Sequence, residues 1–243
     1  MHHTQPHPLP PSLSVRGVDL PLQWSSFKVI AFDMDSTLIN IECIDELAKV
    51  AGVGDEVVRI TEATMRGEIK DFKESLRARV SLLKGLALEE LERVYHDRLQ
   101  LNPGVETWVR ACQDHGLQTV LVSGGFTHFA DRVGARLRIN FSRSNALAIQ
   151  DGRLTGELLD QAWGDICDGE EKKKMLEHTC ALLGVSMSQA IAVGDGANDL
   201  PMMRACQHAG GLSVAYHAKP AVKEQAMVSV DRGGMDELLH LFH

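Results

Sequence analysis

Five short runs of strand-type residues alternate along this chain with longer segments of helical periodicity. Such alternation predicts a parallel sheet with helices on both faces. Runs such as TVLV and AIAV are almost continuously apolar, as strands buried on both faces require. The sequence therefore predicts an α/β fold built on a doubly wound, mainly parallel, five-stranded sheet. The predicted strands cover residues 28–32, 119–122, 190–193, 212–214 and 227–230.

A long insert separates the first two predicted strands. Residues 33–118 lie between them, which is far more than one crossover helix needs, and most of them carry helical periodicity. We expect a helical cap at residues 41–104, closed by Asn102-Pro103-Gly104, where proline and glycine mark the return to the core. The catalytic core would then consist of residues 26–40 and 105–243.

The N-terminal segment and a later Asp-Gly pair carry local signals of their own. Residues 1–25 contain several prolines and histidines and lack the basic and apolar regions of a signal peptide, so we expect a flexible tail. Asp151-Gly152 stands between two short strand-like runs, which predicts a β-hairpin with a two-residue turn.

Composition and charge narrow the class of protein. No apolar run approaches the roughly 20 residues that cross a bilayer, so we expect no membrane span. The formal net charge of −8 argues against DNA or RNA as a partner, because nucleic-acid binding usually needs a basic face. The cysteines are odd in number and lack Cys-x-x-Cys spacing, which is typical of free thiols in a reducing cytoplasm. They are Cys43, Cys112, Cys167, Cys180 and Cys206.

Polar residues stand at the ends of three predicted strands. Asp33 follows the first strand, Ser123-Gly124-Gly125 follows the second, and Asp195 lies in the segment GDGAND after the third. The carboxyl ends of parallel strands share one edge of the sheet, and ligands bind there at the switch point in strand order. We therefore expect the carboxylates of Asp33, Asp35 and Asp195 to lie close to the hydroxyl of Ser123 at this edge.

This set of groups favours phosphoryl chemistry. Carboxylates in a partly dry crevice resist ionising together unless a cation joins them, and oxygen ligands with open positions suit Mg²⁺, which a substrate phosphate can complete. One carboxylate can attack phosphorus to form an aspartyl phosphate while a second protonates the leaving oxygen. Asp33 and Asp35 fit these roles because residues i and i+2 of an extended chain point the same way.

Donors for a phosphate group are also present. Ser123, with the backbone N–H groups of Gly124 and Gly125, forms a candidate phosphate-binding turn before the next predicted helix. The run Glu170-Glu171-Lys172-Lys173-Lys174 can supply a cation, although such a run by itself is more typical of a solvated helix face. Lys173 competes with Lys172 for this role.

In combination, these motifs resemble the haloacid-dehalogenase superfamily of phosphatases. The matching segments are DMDST at 33–37, VSGG at 122–125, a lysine near 172 and GDGAND at 194–199. The chain is similar, over residues 26–235, to the branch of this superfamily that hydrolyses phosphoserine. The resemblance implies a Rossmann-like core with a helical cap inserted after the first strand, and Mg²⁺ as cofactor.

The resemblance also implies roles for individual residues. Asp33 would be the nucleophile and Asp35 the general acid and base. Mg²⁺ would be held by the Asp33 side chain, the Asp35 backbone carbonyl and Asp195. Glu42 would bind the ammonium group of phosphoserine, and Arg79 would bind its carboxylate. The residues that would hold the phosphate are Ser123, Gly124 and Lys172, with Asn198 and Asp199 nearby.

The cap sequence supports Arg79 independently of the resemblance. Phe72, Leu76 and Leu83 form an apolar stripe at helical spacing, and Arg79 lies in the middle of that stripe. Arg77 falls on the opposite face, where we expect it to be solvated. An arginine within the stripe suits a buried carboxylate. The alternative is that Arg79 extends its head group to solvent from the core edge or pairs with a structural acid.

We therefore predict a Mg²⁺-dependent enzyme that hydrolyses O-phospho-L-serine to L-serine and phosphate through a phospho-aspartyl intermediate, the last step of serine biosynthesis. The nearest alternative is a phosphatase or phosphotransferase that acts on another small phosphomonoester. A phosphorylatable receiver also gathers acids, a hydroxyl and a lysine, but it needs no cap. A catalytically inactive binding protein is disfavoured because the three acids are intact. The sequence leaves a homodimer open.

Overall fold

An eight-stranded sheet lies at the centre of the computed structural model, which describes residues 9–65 and 68–243. The strands are β1 (Leu13–Val15), β2 (Val29–Phe32), β3 (Gln118–Phe126), β4 (Phe141–Gln150), β5 (Arg153–Leu159), β6 (Ala190–Gly194), β7 (Leu212–Tyr216) and β8 (Val228–Val230). Their order across the sheet is β1-β8-β7-β6-β2-β3-β4-β5. The first strand of the catalytic core, β2, is therefore flanked by β3 and β6, at the point where the strand order reverses.

The predicted α/β fold with a doubly wound, mainly parallel sheet is confirmed. All five predicted strands form, as β2, β3, β6, β7 and β8, and they pair in parallel with one another. The predicted number of strands is wrong, because β4 joins the parallel set at Phe141–Arg143 while β1 and β5 pair antiparallel at the edges. These three segments are short or half-exposed where they pair, and strand formation there depends on neighbours distant in sequence.

Helices cover both faces of the sheet. They are α1 (Cys43–Ala51), α2 (Gly54–Met65), α3 (Phe72–Ser81), α4 (Leu88–Asp97), α5 (Val105–Asp114), α6 (Thr127–Leu137), α7 (Gly169–Leu183), α8 (Leu200–His208) and α9 (Pro220–Lys223). Successive residues of a strand point to opposite faces. In β2, Ile30 and Phe32 pack in the layer that contains α5 and α6, whereas Val29 and Ala31 pack with α7 and α8. Burial on both faces explains the apolar runs in the sequence.

Helices α1 to α4 lie between β2 and α5 and form the cap. Helix α3 begins after the N-cap residue Asp71, whose side chain accepts a hydrogen bond of 3.0 Å from the backbone N–H of Lys73. In the turn that closes the cap, the side-chain amide of Asn102 donates to the carbonyl oxygens of Thr37 (2.9 Å) and Ile39 (3.0 Å). This residue therefore ties the end of the cap to the loop that follows β2.

The N-terminal segment differs from the expected flexible tail. Residues 1–8 lie outside the described residues, but Leu13–Val15 pairs with Val228–Val230 of β8. Further along, the indole of Trp24 stacks on Phe242 with ring centroids 4.1 Å apart and on His115 at 4.2 Å. The expectation of a tail reaching residue 25 is therefore wrong. Leu13–Val15 and Trp24 contact partners that lie far away in sequence, which local composition does not reveal.

The predicted hairpin is confirmed at Asp151-Gly152. Both residues have positive φ angles, 51° and 73°, and Gln150 pairs with Arg153 across the turn, as expected for an Asp-Gly turn. The hairpin also reaches the cap, because the backbone N–H of Leu154 donates to Leu86 (2.9 Å). Within the described ranges, none of the helices combines the length and apolarity needed to cross a membrane.

Candidate active site

Asp33 occupies the carboxyl end of the central strand. Its backbone N–H continues the ladder by donating to Val193 on β6 (3.0 Å), so the chain is held between two neighbours where the side chain enters the site. The carboxylate is buried. Its Oδ1 accepts a hydrogen bond of 2.7 Å from the backbone N–H of Met34 and lies 2.6 Å from Nζ of Lys172.

Lys172 is fully buried in the first turn of α7. The helix starts at the cap residue Asp168, which fixes the turn that carries this lysine. Its Nζ lies between two acids, Asp33 and Asp199, the second at 2.7 Å. Burial by itself lowers the pKa of Lys172, but the two carboxylates outweigh burial and hold that pKa above its ordinary value. Lys173 is half-exposed and faces Glu170 at 3.6 Å, so the geometry brings Lys172, and not Lys173, to the site.

The segment GDGAND forms a tight loop after β6. Oδ2 of Asp199 accepts hydrogen bonds from the backbone N–H groups of Asp195 (3.1 Å) and Gly196 (3.0 Å). A Cβ atom at Gly194 would overlap the Asp199 carboxyl group, so this close approach requires glycine. Oδ1 of Asp195 accepts a hydrogen bond of 3.0 Å from the hydroxyl of Thr37. The loop thereby presents Asp195 to the site, and Asn198 lies half-buried within the same loop.

Asp35 lies against the Ser-Gly-Gly turn at the end of β3. A Cβ atom at Gly125 would approach its Oδ2 to 2.8 Å, so an alanine here would press on the acid. Oδ1 of Asp35 is buried and has no hydrogen-bond partner among the described residues. Burial, followed by the charge of Glu42, raises the pKa of Asp35 to about 7.

The acid cluster fits a divalent cation. Carboxylate oxygens of Asp33, Asp195 and Asp199 lie within 4.8 Å of one another. Burial, followed by the charge of Asp199, raises the pKa of Asp33 well above its usual value and that of Asp195 to about 7. These groups therefore resist ionising together, and an ion with oxygen ligands would relieve their repulsion. Asp199 is the least available ligand, because both of its oxygens are already engaged by Lys172 and the loop backbone.

Ser123 and Gly124 lie where β3 leaves its ladder with β4. The predicted strand ends too early at Val122, because Ser123, Gly124 and Gly125 lie within β3 as a bulge, where its register with β4 shifts between Val122 and Phe126. We keep the name Ser-Gly-Gly turn for this bulge. Ser123 is fully buried, and its Oγ accepts a hydrogen bond of 2.8 Å from the backbone N–H of Gly125. The turn therefore places the Ser123 hydroxyl beside Asp35, but the backbone N–H of Gly125, which the sequence predicts as a phosphate donor, is already engaged by Ser123.

Glu42 and Arg79 lie close enough in the cap for the charge of each to affect the pKa of the other. Glu42 precedes α1, and its Oε1 accepts a hydrogen bond of 2.7 Å from the hydroxyl of Ser36. Burial lowers the pKa of Arg79, while the charges of Asp45 and Glu42 oppose that effect. Arg77, by contrast, is exposed and pairs with Asp165 at 2.9 Å. The charge of Asp45 acts on Arg79 more strongly than that of Glu42, and Nε of Arg79 donates to the carbonyl oxygen of Ser75 at 3.3 Å.

The sequence pattern of the haloacid dehalogenase-like hydrolases matches residues 27–207 of this chain. That range contains the end of β2, the Ser-Gly-Gly turn, Lys172 and the GDGAND loop. The chain belongs to this family. Haloacid dehalogenase-like hydrolases use a divalent metal, in keeping with the acid cluster described above.

Relatives within the family are named for one activity. The chain is 60% identical over 237 residues to a phosphoserine phosphatase of Albidiferax ferrireducens, covering 98% of each protein. It is 43% identical to a phosphoserine phosphatase of Haemophilus influenzae, covering 94% of this chain and 70% of that protein. Among solved structures, a phospho-aspartyl intermediate analogue of phosphoserine phosphatase matches with a TM-score of 0.79 and 36% identity, over 89% of this chain and 99% of the other. A substrate-bound phosphoserine phosphatase complex matches with a TM-score of 0.79 and 35% identity over the same shares.

Three residues of this haloacid dehalogenase-like hydrolase support the site although sequence reasoning did not single them out. They are Thr37, which donates to Asp195, Asp45, whose charge acts on Arg79, and Asn102, which holds the loop after β2. Thr37 is the last residue of DMDST, so the motif itself contained the signal. Asn102 belongs to the Asn-Pro-Gly segment expected to close the cap, but its hydrogen bonds to the loop after β2 were not predicted, and no local pattern in the sequence marks Asp45.

Proposed function

We propose that this chain hydrolyses O-phospho-L-serine to L-serine and phosphate, with Mg²⁺ as cofactor and with Asp33 as the residue that is transiently phosphorylated. The observation that supports this most strongly is the buried contact of 2.6 Å between Asp33 and Lys172 at the carboxyl end of the central strand. An acid and a cation placed together in this way suit a nucleophile and a phosphate ligand. The substrate is proposed from the names of the relatives.

Asp33 attacks phosphorus, so that a bond forms from its carboxylate oxygen to phosphorus and the bond from phosphorus to the serine oxygen breaks. Lys172 favours the ionised form of Asp33, although burial opposes it. Asp35, whose pKa is raised to about 7, donates its proton to the departing serine oxygen. Asp35 then accepts a proton from the water that hydrolyses the aspartyl phosphate, which releases phosphate and restores both acids.

Mg²⁺ would be held by the side chains of Asp33 and Asp195 and by the backbone carbonyl of Asp35. When bound, it offsets negative charge on the carboxylates and the phosphate. Asp199 keeps a separate role, because it holds Lys172 and the backbone of the loop that presents Asp195.

The remaining residues bind the two ends of the substrate. Ser123, the backbone N–H of Gly124 and Lys172 hold the phosphate, with Asn198 at the border of the site. In the cap, Arg79 provides a planar fork for the substrate carboxylate, and Glu42 accepts its ammonium group. Two charges of opposite sign in the cap match the two charged groups on the amino-acid end of phosphoserine.

We assign residues 26–40 and 105–243 to the catalytic core and residues 41–104 to the cap. We also place the protein in the cytoplasm, where hydrolysis of phosphoserine would complete serine biosynthesis. The five cysteines support this location, because all of them are free and buried, as is usual in a reducing compartment.

The test is a phosphate-release screen over small phosphomonoesters, with Mg²⁺ and with EDTA. We expect O-phospho-L-serine to give the highest kcat/KM, EDTA to abolish release and added Mg²⁺ to restore it. The Asp33→Asn variant keeps the shape of the side chain but lacks the nucleophile, so its rate should fall by at least about 10⁴-fold. If another phosphomonoester gave a kcat/KM at least about tenfold higher than phosphoserine, the alternative substrate would be favoured. Full activity in EDTA would contradict the metal dependence.

A further inference from the structure

The phosphate turn, Ser123-Gly124-Gly125, interrupts the ladder between β3 and β4. Val122 pairs with Arg143, and the next pair is Phe126 with Asn145. Three residues of β3 therefore lie opposite one residue of β4, so the ladder cannot satisfy the backbone groups of the turn. Some other group must hold the orientation of this backbone.

The side chain of Asn145 supplies that group. It is 2% exposed, and its Nδ2 donates to the carbonyl oxygen of Gly124 at 2.8 Å. Its Oδ1 accepts from the backbone N–H of Cys167 at 2.8 Å. Because one partner is a carbonyl oxygen and the other is an N–H, only one orientation of the Asn145 side-chain amide satisfies both hydrogen bonds. Cys167 lies in the loop that precedes α7, the helix that carries Lys172.

The contact with Gly124 determines the direction of a donor in the turn. In a trans peptide the carbonyl of one residue and the N–H of the next point in opposite directions. With the Gly124 carbonyl held by Asn145, the N–H of Gly125 points the other way and donates to Oγ of Ser123 at 2.8 Å. The Ser123 oxygen thus accepts from the backbone, and its own proton is left to donate to a phosphate oxygen.

We propose that Asn145 is a positioning residue for phosphate binding, which rests on the function proposed above because that function places the substrate phosphate at this turn. Asn145 holds the Gly124-Gly125 peptide in the orientation in which the Gly125 N–H donates to Oγ of Ser123, so that the hydroxyl proton of Ser123 is directed to a phosphate oxygen. It acts through the turn and touches no reacting atom. Without it, the turn would have to be ordered by the phosphate itself, at a cost in phosphate affinity.

The same pair of strands provides a matched control. Asn140 also bridges to β3 through its side chain, since its Oδ1 accepts from the backbone N–H and the hydroxyl of Thr119, each at 2.9 Å. This contact lies at the opposite end of β3 from the phosphate turn. Loss of the Asn140 amide therefore weakens the same strand pair without disturbing the donors.

The experiment compares Asn145→Ala, Asn145→Asp and Asn140→Ala with the wild-type protein. The aspartate keeps the shape and the acceptor for Cys167, but it replaces the donor to Gly124 with an oxygen, whereas the alanine removes the amide without adding a charge. Calorimetry measures the dissociation constant of inorganic phosphate in the presence of Mg²⁺, and phosphate release measures kcat/KM for phosphoserine and for an aryl phosphate. Thermal melting reports the fold.

We expect both Asn145 variants to weaken inorganic phosphate binding by about tenfold or more and to lower kcat/KM by similar factors on both substrates. Asn140→Ala should lower Tm while it leaves phosphate binding within about twofold of wild type. Wild-type phosphate affinity in a folded Asn145 variant would overturn the inference, as would an equal loss in Asn140→Ala. Failure of the proposed substrate is a separate result, because it is seen in the wild-type protein and leaves the inorganic phosphate comparison intact.

Discussion

Lys172 has no exposed surface, and its two partners explain how a lysine can lie in the core. Asp33 and Asp199 come from the ends of two different strand segments and both contact its Nζ, at 2.6 and 2.7 Å. Buried charges are tolerated when they are paired and hydrogen-bonded. The lysine therefore links Asp33 to the loop that presents Asp195.

Replacement of Lys172 by methionine should be costly because it leaves two acids without their shared cation. Removal of one partner from a buried pair costs about 3–5 kcal/mol, so the free energy of unfolding near neutral pH should fall by about this amount. Phosphate release should fall by at least about 100-fold. Urea unfolding and a phosphate assay measure both effects.

Lys173→Met is the matched control, one residue away on the same helix. Its side chain is 35% exposed and faces Glu170, so the change in unfolding free energy should stay within about 0.5 kcal/mol and the activity should be unchanged. The reverse ranking of the two variants would assign the phosphate to Lys173.

Helix α3 presents two arginines to different surroundings. Arg79 is half-buried and its pKa is affected by the charges of Asp45 and Glu42, whereas Arg77 is exposed and pairs with Asp165. Lys73 lies 3.3 Å from Asp165 as well, so one face of the helix is tied to the loop before α7. The helical period therefore leaves Arg79 half-buried near acids of the cap and Arg77 in a surface ion pair.

Arg79→Ala should act selectively on substrates that carry a carboxylate. Loss of a charged partner in a desolvated contact costs about 2–5 kcal/mol, so kcat/KM for phosphoserine should fall by about 100-fold or more. An aryl phosphate has no carboxylate for this residue, and its kcat/KM should change by less than about threefold.

Arg77→Ala removes the same side chain two residues away and serves as the control. Exposed ion pairs contribute about 0–1 kcal/mol to stability, so we expect kcat/KM to change little for either phosphoserine or the aryl phosphate. Equal losses on phosphoserine and the aryl phosphate in Arg79→Ala would remove the argument for specificity in the cap.

At the scale of the whole molecule, folding gathers carboxylates that come from separate parts of the chain. Without a metal, the pKa values of Asp35 and Asp195 are raised to about 7 from 3.8. The folded state therefore binds more protons than the unfolded state between about pH 4 and pH 7, and the free energy of unfolding falls as pH rises through this window. The stabilisation that comes from the protonated carboxyl groups of Asp35 and Asp195 is complete below this pH window and lost above it.

The proposed Mg²⁺ would bind the ionised carboxylates, so its effect on stability should have the opposite trend. We expect the increase in Tm on addition of Mg²⁺ to EDTA-treated protein to be larger at about pH 8 than at about pH 5. Thermal unfolding across this range measures it. Asp195→Asn should flatten the pH dependence of the metal-free protein, and equal Tm increments at both pH values would contradict the assignment.

Much of the architecture follows from local pattern. The apolar runs predicted strands that are buried on both faces, and all five predicted strands form. The Asp-Gly hairpin and the start of α3 at Asp71 also follow from side-chain chemistry within a few residues. The edge strand β1 was missed because its partner, β8, lies more than 200 residues away.

The acids and the Ser-Gly-Gly turn could be placed at one edge from sequence because parallel strands end together. The residue pattern by itself does not distinguish Lys172 from Lys173, because the two lysines are adjacent. In the tertiary structure, the first turn of α7 directs Lys172 toward Asp33 and Lys173 toward Glu170. The contact from Asn145 to Gly124 likewise exists only where two strands fall out of register. Periodicity and motifs specify elements and the residues at their ends, whereas hydrogen bonds between distant segments depend on packing that no local pattern records.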